Sequence, residues 1–292
     1  MNPHAFFPRL ALLGTGYIGG SAILAARRAG IVGQVIGYDT NPISAQAARQ
    51  AGILDATAAS PTEACADASL VLLAAPVQSL VALVQSLAAT LPCDATVIDV
   101  GSVKAAVVGS AALALPHGQF VGCHPMAGAE FFGIQAADAT IFAGKVCFVC
   151  PAGNARPSAV DAAHAFWRSI GCQTVDIDPD IHDRLMAAQS HLPHVAAFAL
   201  AAALAPGLPF LEATVTPASP TTSLRDTTRI AASGPNVWRD ILLANAQYLL
   251  PLIQELENCV AAIKAAVAAG DGDELVRLLS TAQNCRQRLV KA

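Results

Sequence analysis

The stretch LLGTGYIGGS, residues 12–21, constrains the fold of this chain more than any other. Gly14, Gly16 and Gly19 stand in GxGxxG spacing between a β-rich apolar run and an alanine-rich helical one, so a strand must turn sharply into a helix. The first glycine permits the turn, the second lets a pyrophosphate approach the backbone, and the third lets helix and strand pack closely. Phosphates would meet N–H groups at the helix N-terminus, beside Tyr17 and Ile18. The next strand ends at Asp39, twenty positions beyond Gly19, where an acid that binds ribose hydroxyls is expected. That carboxylate suits NAD and would repel the 2′-phosphate of NADP, and neither Thr40 nor Asn41 supplies a compensating arginine. NAD is therefore expected over NADP.

The alternation of apolar and helical runs continues. Strands are expected at RLALLG, QVIGYD, SLVLLAAP, TVIDVG, QFVGCHP and KVCFVCP, most of them separated by helical segments, which is the βαβ rhythm of a parallel sheet. Ala75 and Pro76 follow the third strand, and Ser102 and Lys104 the fourth, at carboxyl ends that face the ligand side of an open sheet. After about residue 178 the character changes to long helices, apart from a segment around LPFLEATVTPASPTTS. The expected fold is α/β: an N-terminal Rossmann-type doubly wound sheet over residues 1–178 and a C-terminal all-α helical domain over residues 179–292.

Composition excludes several classes of function. The 292 residues are 54% hydrophobic and only 13% charged, with a net charge of −4 and no run of either sign, which disfavours nucleic acid and acidic membrane surfaces as partners. Apolar stretches such as HVAAFALAAALAPG break before about 18 residues, too short to span a bilayer. The first residues lack a basic segment and cleavage site, so no signal peptide is expected and the eight cysteines are expected as reduced thiols in a cytoplasm. Cys147 and Cys150 form a CxxC, but a strand points them to opposite faces and no second CxxC completes a zinc site.

In GCHPMAGAE, residues 122–130, strand QFVGC delivers His124 to the ligand edge, and Pro125 restricts its backbone. A histidine after a strand is more often structural, and Ser102 alone would serve best as a cap for a helix starting near Val103. Together on neighbouring strand ends they suit proton transfer near neutral pH. His191 and His194 lie three apart on one helical run, near enough to share a ligand, but no third ligand accompanies them, which favours core packing or substrate contact over a metal. Arg225 and Arg229 are one helical turn apart with Asp226 between; they fit either an exposed ion-pair pattern or a fork for carboxylates.

The ordered set GxGxxG with Asp39, DVGSVK, HPMAGAE, SHLPH and RDTTRIAASGPNVWRDI resembles the prephenate/arogenate (cyclohexadienyl) dehydrogenase family of tyrosine biosynthesis over essentially the whole chain. The resemblance implies oxidative decarboxylation of a cyclohexadienol with NAD and no metal, in a homodimer formed through the helical domain. Matched onto this chain, it makes His124 the acceptor of the ring hydroxyl proton and Ser102 its hydrogen-bonding partner. Arg229 becomes the clamp for the ring carboxylate, with His194, His191, Glu130, Arg225, Asp226 and Trp238 as further substrate contacts. The chain departs from the family in carrying SPTTSL where a glycine-rich run usually precedes the RD pair. Two other readings fit less of the sequence: a β-hydroxyacid-type dehydrogenase, which normally relies on a helix-borne lysine, and a catalytically silent NAD-binding regulator.

Overall fold

In β1 (Phe7–Leu13), Leu10 and Leu12 face one side of the sheet while Ala11 and Leu13 face the other, and all four are buried. A strand apolar on both faces belongs inside a sheet covered by helices on both sides. The computed structural model describes residues 6–128, 133–207 and 221–289.

The remaining strands are β2 (Val32–Tyr38), β3 (Ala56–Thr57), β4 (Leu70–Leu73), β5 (Thr96–Asp99), β6 (Phe120–Pro125), β7 (Val146–Pro151) and β8 (Gln173–Asp176). They form one sheet in the order β3-β2-β1-β4-β5-β6-β7-β8. All six expected strands are present; the two-residue β3 and the largely exposed β8 carry too little apolar signal to stand out. The sheet is not wholly parallel, because β7 runs antiparallel to β6. A parallel pair needs a crossover of a dozen or more residues, usually helical. Among the described residues this connection holds only the short 3₁₀ turn Ile134–Ala136.

Helices α1 (Tyr17–Arg28) and α6 (Pro157–Ser169) cover one face, where Phe7, Phe142, Phe166 and Trp167 pack edge to face. Helices α4 (Val77–Leu87) and α5 (Ala105–Ala114) cover the other through Leu80, Val84, Leu87, Val107 and Val108. The short α2 (Pro42–Gln50) and α3 (Pro61–Cys65) follow β2 and β3, capped by the side chains of Asn41 and Ser60. Each fully buried leucine or valine contributes about 1.5–3 kcal/mol. Cys147 joins the first core and Cys150 the second, so the CxxC pair is split across the sheet, and burial pushes both thiols up, away from the thiolate.

After β8 come α7 (Pro179–Met186), a π-helical segment (Ala187–His191) and α8 (Leu192–Leu204) as one helical run, then α9 (Thr222–Thr228), a 3₁₀ turn (Arg229–Ala232) and α10 (Pro235–Ala244). Helix α7 packs on α5 and β7, and α10 on α4, so the compact unit built on the sheet extends to Asn245. A second unit from Ala246 comprises α11 (Ala246–Ala269) and α12 (Gly272–Leu289). Within the unusual SPTTSL stretch, Thr221 caps α9 with its side chain, accepting from the Leu224 N–H at 3.4 Å. Among the described residues no helix is long and apolar enough to cross a membrane.

Candidate active site

The winding of the sheet reverses between β1 and β4, and a crevice opens at their carboxyl ends. Gly14 sits there with φ +99°, and a Cβ on it would lie 2.4 Å from the Ala74 carbonyl oxygen, so only glycine permits this approach. Gly19 packs as closely: its Cβ would lie 2.7 Å from the Cβ of Ala74. Gly16, by contrast, faces open space and begins α1 without a side-chain cap. The glycines form an open cradle at a helix N-terminus, a geometry suited to an anionic group such as a diphosphate. Asp39 stands beside it, its Oδ2 accepting from Thr15 N–H (2.7 Å) and Oγ1–H (2.9 Å) and its Oδ1 from Asn41 N–H (2.8 Å). The loop thus aims the carboxylate at the crevice.

A cavity of about 1180 Å³ extends from this cradle. Gly14, Gly16, Tyr17, Ile18, Asp39, Ala75 and Pro76 line one part; Ser102, His124, His194, Arg229 and Trp238 line another. Gly19 packs beneath rather than lining it. His194 stacks on Trp238 with ring centroids 3.6 Å apart, and its Nδ1–H donates to the Ser190 carbonyl at 2.9 Å. Burial lowers its pKa, the Ser190 hydrogen bond opposes that, and the charge of Arg229 adds to it. Arg229 itself is exposed within the cavity wall.

Other expected residues fall elsewhere. His191 is buried outside the cavity lining, with Nδ1 3.0 Å from Nδ2 of Asn245, and burial pushes it down to about 4. His191 nevertheless meets the same indole as His194, edge-on to Trp238 at 6.0 Å, so it supports the cavity wall from behind. Arg225 and Asp226 pair with each other at 3.5 Å in solvent, away from the cavity. Helix α9 ends at Thr228 and a tighter turn begins at Arg229, so Arg225 and Arg229 do not converge as one α-helical face would make them. Glu130 lies outside the described residues.

Ser102 does not cap a helix at Val103, because α5 starts two residues later. The cap comes from far along the chain: Asp183 of α7 accepts from Lys104 N–H (2.7 Å, Oδ1) and Ala105 N–H (2.8 Å, Oδ2). Lys104 is completely buried and its ammonium pairs with Asp99, so it does not reach the cavity. Asp99 also accepts from Gly101 N–H (2.9 Å) and Cys123 N–H (2.8 Å), tying the end of β5 to β6 and with it Ser102 to His124. Behind His124, Nδ1 lies 2.9 Å from Nε2 of His182, and Nδ1 of His182 lies 2.8 Å from Oδ1 of Asp183. Burial, then the neighbouring His182, Lys104 and His191, hold His124 well below the usual 6.5. It is neutral near pH 7 and suited to accept a proton. Among the described residues no three of His, Cys, Asp or Glu are grouped so as to hold a metal ion.

Comparison with known proteins points to one family. Residues 22–176 match the family profile for "Prephenate dehydrogenase, nucleotide-binding domain", and residues 178–281 that for "Prephenate dehydrogenase, dimerization domain". The chain belongs to the prephenate dehydrogenase family. Among its relatives, a cyclohexadienyl dehydrogenase of Zymomonas mobilis is 31% identical over 97% of this chain and 96% of its own. A prephenate dehydrogenase of Bacillus subtilis is 32% identical over 96% of this chain and 76% of its own. The crystal structure of prephenate dehydrogenase from Aquifex aeolicus with hydroxyphenyl propionate and NAD+ superposes with a TM-score of 0.82, at 30% identity over 97% of this chain and 98% of that one. As a prephenate dehydrogenase family member, the chain is an oxidoreductase with an NAD-type nucleotide-binding domain. The residues that motif spacing missed in this family member are His182, Asp183, Asp99 and Asn245; an acid directly after a histidine in DIHDRL was the one local signal for two of them.

Proposed function

We propose that this chain catalyses the NAD-dependent oxidative decarboxylation of prephenate or arogenate, giving 4-hydroxyphenylpyruvate or tyrosine. The observation that carries the reading is that Ser102, His124, His194 and Arg229 line the same cavity as the glycine cradle and Asp39. The cradle fits a dinucleotide, since Gly14 and Gly19 allow the close turn, Gly16 leaves the space open, and Asp39 offers an acceptor for ribose hydroxyls. Bound NAD supplies the hydride acceptor. The chain's own residues do the rest. Nε2 of His124 takes the C4 hydroxyl proton, with Ser102 hydrogen-bonding that hydroxyl or the imidazole. The C4 hydride leaves as the hydroxyl oxygen becomes a carbonyl, the C1 carboxylate departs as carbon dioxide, and its bonding electrons complete the aromatic ring and turn the carbonyl oxygen into a phenolate, which takes the proton back from His124. Arg229 holds a substrate carboxylate, a role for which a guanidinium is better shaped than an ammonium.

Asp39 supports NAD over NADP, because a carboxylate at the end of β2 would repel a 2′-phosphate. The relative crystallised with hydroxyphenyl propionate and NAD+ supports both ligand classes. A homodimer is part of the same proposal: the second matched profile is a dimerization domain, and α11 and α12 expose Val260, Ile263, Val267, Val276 and Leu279. The deciding experiment measures NADH formation with prephenate and with arogenate side by side. Turnover of either supports the reading, and NAD binding without turnover of both overturns it.

A further inference from the structure

Asp183 lies 79 residues from Lys104 in sequence and is buried, yet its carboxylate serves two elements of the active site. Oδ1 accepts from the Lys104 N–H and faces Nδ1 of His182, while Oδ2 accepts from the Ala105 N–H. His182 is fully buried, edge-on to Phe148 at 5.5 Å and to His124 at 5.1 Å. We propose that His182 and Asp183 are positioning residues, which fix the tautomer and the ring orientation of His124 and, through the same carboxylate, hold the turn that carries Ser102.

The argument is one of donors and acceptors. A carboxylate receiving two backbone N–H groups is an acceptor only, so the Nδ1 of His182 that faces it must carry the proton. A neutral imidazole protonated at Nδ1 has its lone pair on Nε2, and that atom faces Nδ1 of His124. His124 must therefore donate from Nδ1, which leaves its Nε2 with a lone pair for the cavity. A histidine oriented by a second buried group and an acid follows the logic of hydrolytic triads, with one more imidazole inserted. When Nε2 of His124 takes the hydroxyl proton, the new positive charge is shared through the Nδ1–H bond to His182 and faces the Asp183 carboxylate. As the ring becomes aromatic, Nε2–H returns the proton to the phenolate oxygen and the starting tautomer is restored.

The kinetic part of the test rests on the reaction proposed above; the tautomer does not. Imidazole ¹⁵N NMR on the whole protein, with the His124 signals identified by their loss in His124→Asn, should show the proton on Nδ1 of His124. In Asp183→Asn the amide oxygen should keep the Oδ1 position, where Lys104 N–H and Nδ1–H of His182 both donate, and the His124 proton should stay on Nδ1. Wild-type His124 protonated on Nε2 overturns the proposal, as does a His124 proton moved to Nε2 in Asp183→Asn. Because the Asp183→Asn change also weakens the α5 cap, a second pair of variants separates positioning from folding. His182→Leu should lower kcat about a hundredfold or more while substrate KM and NAD affinity stay within about threefold of wild type. His182→Gln, whose amide oxygen can accept from Nδ1–H of His124, should recover kcat to within about tenfold of wild type. Equal losses in the two variants, tracking the fraction of folded protein, reduce His182 to packing and overturn the proposal. If wild-type protein turns over neither substrate, the proposed reaction fails and the NMR result alone decides the relay.

Discussion

Trp238 and His194 are stacked, their ring planes 21° apart and their centroids separated by 3.6 Å, so one aromatic face sets the position of a histidine that lines the cavity. The contact joins α10 to α8, across 44 residues of sequence. An aromatic pair of this kind is worth about 0.5–1.5 kcal/mol beyond the area it buries. Trp238→Leu should therefore raise substrate KM about three- to tenfold and leave NAD affinity unchanged, with Trp238→Phe nearer wild type. Steady-state kinetics at saturating NAD check this; an unaltered KM in the leucine variant would separate the stack from substrate binding.

Asp39 should decide between the two nicotinamide dinucleotides. Replacing it by serine and Thr40 by arginine removes the repulsive carboxylate and supplies a phosphate partner at an exposed position of the cavity wall. The ratio of kcat/KM for NADP to that for NAD should rise by at least about tenfold. Because Asp39 also holds Thr15 and Asn41, absolute activity should fall in the same variant.

Arg229→Ala should raise substrate KM about ten- to a hundredfold, equivalent to about 1.4–2.8 kcal/mol, while NAD affinity, which depends on the cradle, is kept. Lysine should rescue only partly, since a point charge cannot reproduce a two-pronged fork. Arg225→Ala serves as the comparison: its side chain pairs with Asp226 in solvent, and the change should leave KM alone.

The buried Lys104–Asp99 pair predicts an asymmetry. Lys104→Met leaves a carboxylate with no counter-charge in a dry core and should destabilise the fold by about 3–5 kcal/mol, whereas adding Asp99→Asn should recover part of that loss. Urea unfolding midpoints measure both; equal instability of the single and double variants would mean that the hydrogen bonds of Asp99 to Gly101 and Cys123 outweigh its charge.

Acid should weaken the fold through buried neutral histidines. His191 is lowered to about 4 and His124 is also lowered, while an unfolded chain takes up these protons near the usual 6.5. Between those values the unfolded state binds more protons, so the stability contribution is complete above pH 6.5 and is lost as pH falls toward 4. His191 alone accounts for about 3 kcal/mol over that window. Unfolding midpoints at pH 7.5 and 4.5 should differ accordingly, and His191→Gln should flatten the difference.

What the sequence by itself determined were features that repeat or turn within a few residues. The apolar runs are strands because both faces of a central sheet are buried; Gly14, Gly16 and Gly19 carry the turn because no other residue clears Ala74 or leaves the cradle open; Asp39 follows because it ends the adjacent strand. Family motifs added His124, Ser102 and Arg229, which the fold brings to one cavity. Tertiary structure alone decided the rest. The direction of β7 depends on a connection that, among the described residues, holds no crossover helix, and the burial of His191 behind Trp238 depends on how α8 and α10 pack. The Asp183–His182–His124 chain joins positions 58 residues apart, and the cap on α5 comes from 79 residues away. Hydrogen bonds at such separations leave no periodic trace, because they are set by which buried donors and acceptors must satisfy one another once the helices have packed on the sheet.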